Sequence, residues 1–346
     1  MQRTPRLLRE DRLSDFLCAL PGDHCFVSVE TKSGTDYAEY PTSSTALRFH
    51  RPTSPIKQFF LPPREHIAAY WGAQGLPEIV PFSLVGLRNC DLLSLRYLDH
   101  VFLGGICEDP FYRARRAAAF LVSVDCLPPQ KTCFCTAVGG RPYPEGGFDI
   151  NLSPVDDGYV AVAGSDAGES LLAGLPFLED AGDHLLGQVE AARSSMVEAL
   201  APAAGSVDPD RAARTLAGTE VNRAWEPWAG KCVECGACTA VCPTCHCYYI
   251  IDTPGIDPEI QPGAYAKVRT WDSCLLAEYA RMAGAGAKLT PRPRLRSRLS
   301  NRVLHKYVYS PDQYGMCGCL GCGRCDEACL GGMKIRDMVD AVGSQR

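Results

Sequence analysis

Two patterns predict a molecule in two parts, an N-terminal α/β domain and a C-terminal domain tied together by its cysteines. The first is the alternation of strand-like and helix-like segments over roughly the first two hundred residues, the order that builds α/β layers. The second is a repeated cysteine run. Cys232, Cys235, Cys238 and Cys242 read C-x2-C-x2-C-x3-C, and Cys319, Cys322, Cys325 and Cys329 repeat it. That is the spacing of bacterial-type iron–sulfur ligation, so the second part is predicted to be a dicluster, ferredoxin-like domain. Residues 1–215 are assigned to the α/β domain and 216–346 to the cluster domain.

The elements follow in order. Leu7, Leu8, Leu13, Phe16, Leu17 and Leu20 suggest an amphipathic helix ended by Pro21-Gly22. His24–Thr31 reads as a strand with a turn at Ser33-Gly34. Residues 41–63 are proline-punctuated and irregular. A buried strand is expected over Glu78–Leu87, then a helix through Leu92, Leu95, Leu98 and Phe102, a short helix over Pro110–Arg116 and a strand over Ala118–Val124. Further strands are expected at Phe148–Leu152 and Tyr159–Ala163, and helices over Asp166–Ala173, Asp183–Leu200 and Asp208–Ala224. The cysteine runs are separated by residues 243–318, far more than a dicluster ferredoxin needs. The domain is therefore expected to be split by an insertion at about 248–312.

Composition narrows the class. With 346 residues the chain can bury two cores, and 46% hydrophobic with 22% charged residues suits a globular protein. A net charge of -5 gives no case for nucleic acid or an anionic membrane. No segment reaches the roughly 18 apolar residues of a membrane span. The first ten residues hold no signal-peptide core, so a cytoplasmic location is expected. Nineteen cysteines is an odd number in a long chain, which argues for a reducing compartment and metal rather than a disulfide scaffold.

Three thiolates two residues apart converge on one cubane only if the chain curls around it, and Gly236-Ala237 and Gly323 leave that loop free of bulk. The fourth cysteine of each run is expected to ligate the other cluster. Cys232, Cys235, Cys238 and Cys329 are thus assigned to one 4Fe–4S centre, and Cys319, Cys322, Cys325 and Cys242 to a second. Zinc also uses C-x2-C pairs, but two complete four-cysteine runs in this order favour iron–sulfur. Leu330 stands where proline usually follows the fourth cysteine, which bears on the helix start and not on ligation.

Other cysteines are less decided. Cys90, Cys126, Cys133 and Cys135 fall at or after the carboxyl ends of expected strands, where α/β sheets gather ligands. They are candidates for a third cluster, with Asp91 as an alternative ligand, or else are small buried residues. Cys245, Cys247 and Cys274 are candidates for a further metal or for reactive thiols. Cys317 is read as a spare, and Cys18, Cys25 and Cys107 as core residues. Lys288 to Lys306 carries seven Lys or Arg and no acid. It reads as a solvated face, a docking surface for an acidic partner, or charge compensation beside anionic clusters. The dinucleotide, P-loop, zincin and nucleophile-elbow motifs are missing, so redox relay chemistry is visible and substrate chemistry is not.

The ordered motifs Gly86-Leu-Arg-Asn-Cys90-Asp91, Asp109-Pro-Phe-Tyr-Arg-Ala-Arg-Arg116, Thr132-Cys133-Phe-Cys135, Cys242-Pro-Thr-Cys-His-Cys247 and Arg269-Thr-Trp-Asp-Ser-Cys274, with the closing cysteine run, resemble the β subunits of cytosolic NAD(P)-linked nickel–iron hydrogenases (sulfhydrogenases). The electron-transfer subunit of anaerobic sulfite reductase is similar and shares the dicluster family. The resemblance runs from about residue 57 to the end. It implies a polypeptide without its own active site, carrying electrons between a flavin- and NAD(P)-binding partner and a catalytic hydrogenase or sulfite reductase subunit in a hetero-oligomer. A reading from the residues alone keeps a thiol-based redox enzyme using Cys245, Cys247 and Cys274 as the alternative.

Overall fold

A computed structural model describes residues 4–32, 34–69, 79–127, 129–203, 207–254, 265–282 and 290–345. Ser33, Glu78 and Lys288 lie outside them. The first part runs β1 (Arg6–Arg9), α1 (Leu13–Cys18), β2 (His24–Thr31), β3 (Gly34–Glu39), β4 (Arg64–Ala69), β5 (Phe82–Leu87), α2 (Asn89–Phe102), α3 (Pro110–Ala118), β6 (Ala119–Val124), β7 (Ile150–Val155), β8 (Gly158–Ala163), α4 (Asp166–Gly174), β9 (Glu179–Asp180) and α5 (Asp183–Leu200). The chain continues through α6 (Pro209–Leu216), α7 (Glu226–Ala229), α8 (Ala237–Ala240), β10 (Tyr248–Pro254), β11 (Tyr265–Trp271), α9 (Leu295–Leu304), a π turn (His305–Tyr309), α10 (Ser310–Tyr314), α11 (Arg324–Glu327) and α12 (Ile335–Gly343).

The main sheet has the order β3-β2-β5-β6-β7-β8-β1-β9. Its centre, β2-β5-β6-β7, is parallel, and both faces are covered, so its strands read as continuous apolar runs. Val85, Val122 and Val124 enter the core on one face, Leu84 and Leu121 the core on the other. The register shifts at Gly86, which puts Leu87 on the same side as Leu84. Residues 41–63 are irregular apart from a 3-10 turn over Ile56–Phe59.

Two sequence expectations give way. Residues 4–20 form a strand and then a short helix, not one helix. Leu7 and Leu8 enter different cores, which neighbours on a strand do and neighbours on one helix face do not. The helix expected over Asp208–Ala224 stops at Leu216, because Gly218 takes a left-handed φ of 80° and Asn222 caps a separate turn.

A second sheet, β10-β11-β4, joins residues 64–69 to the region between the cysteine runs. Charges clamp it down: Arg269 of β11 pairs with Glu65 of β4 and with Asp109 at the cap of α3, and Arg115 of α3 also holds Glu65. The cluster part has its own core, in which Trp225, Leu299, Val303, Tyr307, Ile335 and Val339 pack with Cys232, Cys238, Cys325 and Cys329. Phe134 and Ala137, from the loop after β6, enter that same core.

Candidate metal centres

The two cysteine runs fold alike. Gly236 and Gly323 sit at the N-caps of α8 and α11 with φ of 71° and 73°, a conformation open to glycine. The turn brings Cys238 and Cys325 onto one-turn helices that pack against each other. Cys232, Cys235, Cys238 and Cys329 line one cavity of about 470 Å³, and Cys325 also lines it. Cys242, Cys319, Cys322 and Cys325 line a second of about 340 Å³. The fourth cysteine of each run therefore lies with the first three of the other.

The candidate third set also comes together. β5 and β6 are parallel neighbours, so the turns beyond Leu87 and Val124 place Cys90 and Cys126 side by side at the carboxyl edge. Cys133 and Cys135 close over them, and the four line a cavity of about 480 Å³ with Cys322. It is as roomy as the first. Its floor is fixed tightly to the second run: a Cβ on Gly321 would stand 2.5 Å from the Phe134 carbonyl oxygen and one on Gly323 equally close to that of Thr132. Cys322 lines both the second and third cavities and Cys325 both the first and second. The three cavities therefore form a row.

Asp91 is engaged elsewhere. It is fully buried; one oxygen accepts from the Arg88 backbone N–H at 3.1 Å and the other from Arg324 at 2.8 Å. Arg324 also reaches Cys90 Sγ at 3.9 Å. Asp125 is likewise occupied by Arg193, Asn151 and Ser153.

Buried cations surround the cavities. Arg298, Arg302 and Lys306, four residues apart on one face of α9 and the π turn, are all buried. The basic stretch is thus partly internal and not a wholly solvated face. Lys306 donates to Thr244 Oγ1 at 3.0 Å and to the Gly318 carbonyl at 3.1 Å. Arg302 donates to the Cys238 carbonyl at 3.2 Å, and its buried Nε has no partner. Lys57 donates to the Thr239 and Cys245 carbonyls. Neutral acceptors satisfy hydrogens but not charge, and burying a charge without a counter-charge is costly. Burial opposes the charge on Lys306, but the neighbouring Cys242 and Cys245 sulfurs outweigh it and hold its pKa well above the ordinary lysine range. Thiolate-ligated iron–sulfur cubanes would add negative charge beside Lys57 and Arg302, which hydrogen-bond to neutral carbonyls, so the residues present fit such groups. Sequence reasoning missed Lys57 and Arg51; Lys57 stands alone among apolar and proline neighbours, and Arg51 follows Arg48 and His50 in no recognisable motif, so neither gives a local signal.

The remaining cysteines divide. Cys245 is buried and hydrogen-bonded to Cys242. Cys247 and Cys274 are hydrogen-bonded to each other. Cys317 packs beside Cys319 with its thiol on the Lys306 carbonyl. Cys25 is half-buried against the sheet core, but Cys18 and Cys107 are exposed and do not belong to a core, since one ends α1 and the other lies in the open loop after α2. None of the nineteen is in a disulfide. Among the described residues no three His, Cys, Asp or Glu side chains close on a single bare ion.

A family profile described as a 4Fe-4S dicluster domain matches residues 231–333. The chain is 30% identical over 301 residues to the sulfhydrogenase 2 subunit beta of Pyrococcus furiosus, covering 86% of this chain and 85% of the relative. Among the described residues no helix is long and apolar enough to cross a membrane.

Proposed function

Because the chain belongs to the family of the sulfhydrogenase beta subunits, we propose that it is the non-catalytic relay of a cytoplasmic, NAD(P)-linked nickel–iron hydrogenase, passing electrons between a flavoprotein partner and a catalytic subunit. It is an iron–sulfur protein of electron-transfer type; the partners, the nicotinamide link and the location are our reading. The observation that carries it is the row of three cysteine-lined cavities joined by Cys322 and Cys325, which is the layout of a wire and not of a substrate pocket.

In this reading Cys232, Cys235, Cys238 and Cys329 hold the first 4Fe–4S cluster and Cys319, Cys322, Cys325 and Cys242 the second. Cys90, Cys126, Cys133 and Cys135 hold a third, with Asp91 acting on Cys90 through Arg324. Bound clusters supply one-electron transfer. The chain's own residues fix the thiolates, exclude water and set the local charge through Lys57, Arg302 and Lys306. The domains are residues 1–215 and 216–346, the second interrupted at about 248–312.

The test is anaerobic purification with iron and acid-labile sulfide counted and the reduced protein followed by EPR. About twelve irons are expected, at four per cubane. About eight would remove the third centre, and zinc with little sulfide would overturn the relay.

A further inference from the structure

One group of reactive side chains is left over by the relay. Cys247 precedes β10 and Cys274 follows β11, and the pairing of those strands sets Tyr248 opposite Trp271. The Asp272 backbone N–H donates to the Cys247 carbonyl at 3.0 Å, so the two cysteines flank the closed end of the ladder. Their thiols are in hydrogen-bond contact, and the Tyr279 hydroxyl also bonds Cys247. Both thiols are half-buried. The hydrogen bond from Cys274 comes first in pulling Cys247 down to about 6, while Cys274 is pushed well above the usual thiol range. Cys247 is thus the more acidic of the two sulfurs, and Cys274 is the one that keeps its proton.

The pair adjoins the first cavity. Ser273 lies against the Gly236 turn, where an added Cβ would meet its Cβ at 3.4 Å, and Leu275 lines the cavity wall. Cys274 sits between them in the chain.

We propose that Cys247 and Cys274 are a redox-active dithiol coupled to the first cluster. This rests on the relay reading. Closing the pair forms one S–S bond, breaks the Cys274 S–H bond, releases its proton and yields two electrons. The electrons leave one at a time, each reducing one oxidised cluster, and the reverse flow reopens the disulfide with a proton returned to Cys274. Tyr279 steadies the Cys247 thiolate. A relay that moves single electrons thereby gains a site that exchanges them in pairs, as thiol–disulfide chemistry requires.

The experiment uses the full chain with its iron intact. Protein equilibrated anaerobically in dithiothreitol buffers of graded oxidised fraction is quenched, alkylated and mapped by mass spectrometry. A reversible Cys247–Cys274 link at constant iron is expected. Photoreductive titration of the oxidised wild type should take two more electrons per chain than C247S or C274S, with unchanged cluster EPR intensity. Absence of the link at every ratio, equal electron uptake, or loss of iron from either variant would each overturn the proposal. Iron and sulfide present without the link sinks this inference alone; iron and sulfide missing sinks the relay and the coupling with it. The mapping needs no variant, so a misfolded mutant does not remove the test.

Discussion

At the scale of single residues, the sharpest feature is the row of cations inside the cluster part. Their spacing was legible: seven basic residues without an acid, three of them four apart on one helix face. What the sequence could not show is that Arg298, Arg302 and Lys306 face inward, because a basic stripe is ordinarily the solvated side of a helix. Arg298 is paired with Glu234, whereas for Arg302 and Lys306 the opposing charge comes from the cysteine runs. Lys306→Met keeps the stem and removes the charge. A unit charge about 4 Å away at an effective dielectric near 20 is worth roughly 4 kcal/mol, and about 60 mV corresponds to 1.4 kcal/mol in a one-electron couple. The second cluster of this variant should therefore titrate at a potential lower by tens of millivolts or more, read by EPR against mediator dyes. An unchanged potential would mean that Lys306 serves packing alone.

Among the elements, the parallel strands were the easiest to read, since burial on both faces writes them as unbroken apolar runs. The small sheet was the hardest. β4 lies about 200 residues before its partner β11, and strand pairing across that distance leaves no local periodicity. The junction around the π turn adds a pH dependence. His246 and His305 pack ring to ring at 5.5 Å, beneath Tyr97 and Phe102 of α2. Burial, first among the causes, lowers both to about 4 from an ordinary value of 6.5. A depressed histidine pKa means the unfolded chain binds more protons between those values. Their contribution is thus complete above pH 6.5 and is lost as pH falls from there towards 4. The unfolding midpoint should drop across that window, and His246→Gln should flatten the drop.

The same scale holds the joint between the third cavity and the second cysteine run. Gly321 has a φ of 64° and no room for a Cβ against the Cys133–Cys135 loop. Gly321→Ala should cost about 1–3 kcal/mol in denaturant unfolding. It should also lower iron occupancy of the third centre first, because it pushes that loop off its seat. Iron loss confined to the dicluster centres would contradict that order.

Over the whole molecule, the two parts are locked by charge across the row of cavities. Arg324, next to the proposed ligand Cys325, is buried with Asp91 at the head of α2, and Arg51 binds both the Cys322 carbonyl at 2.6 Å and Glu327. Removing one member of a buried pair strands the other, at roughly 3–5 kcal/mol. Asp91→Leu should therefore destabilise the chain more than the Asp91→Leu, Arg324→Met double variant does, as measured by unfolding in urea. The row also predicts the order of electron flow. The first cavity opens to solvent between Val233, 60% exposed, and Leu330, 77% exposed, and the third beside Phe49, 45% exposed, so electrons enter at one end of the row and leave at the other. The third lies at the opposite end, beyond Cys322. Cys126→Ala should then remove about four irons and leave both dicluster EPR signals and their mutual spin coupling intact, since Cys325 still joins those two sites. If that substitution instead erased the second cluster's signal while sparing the first, the third cavity would be part of the second centre's ligation and not a separate station.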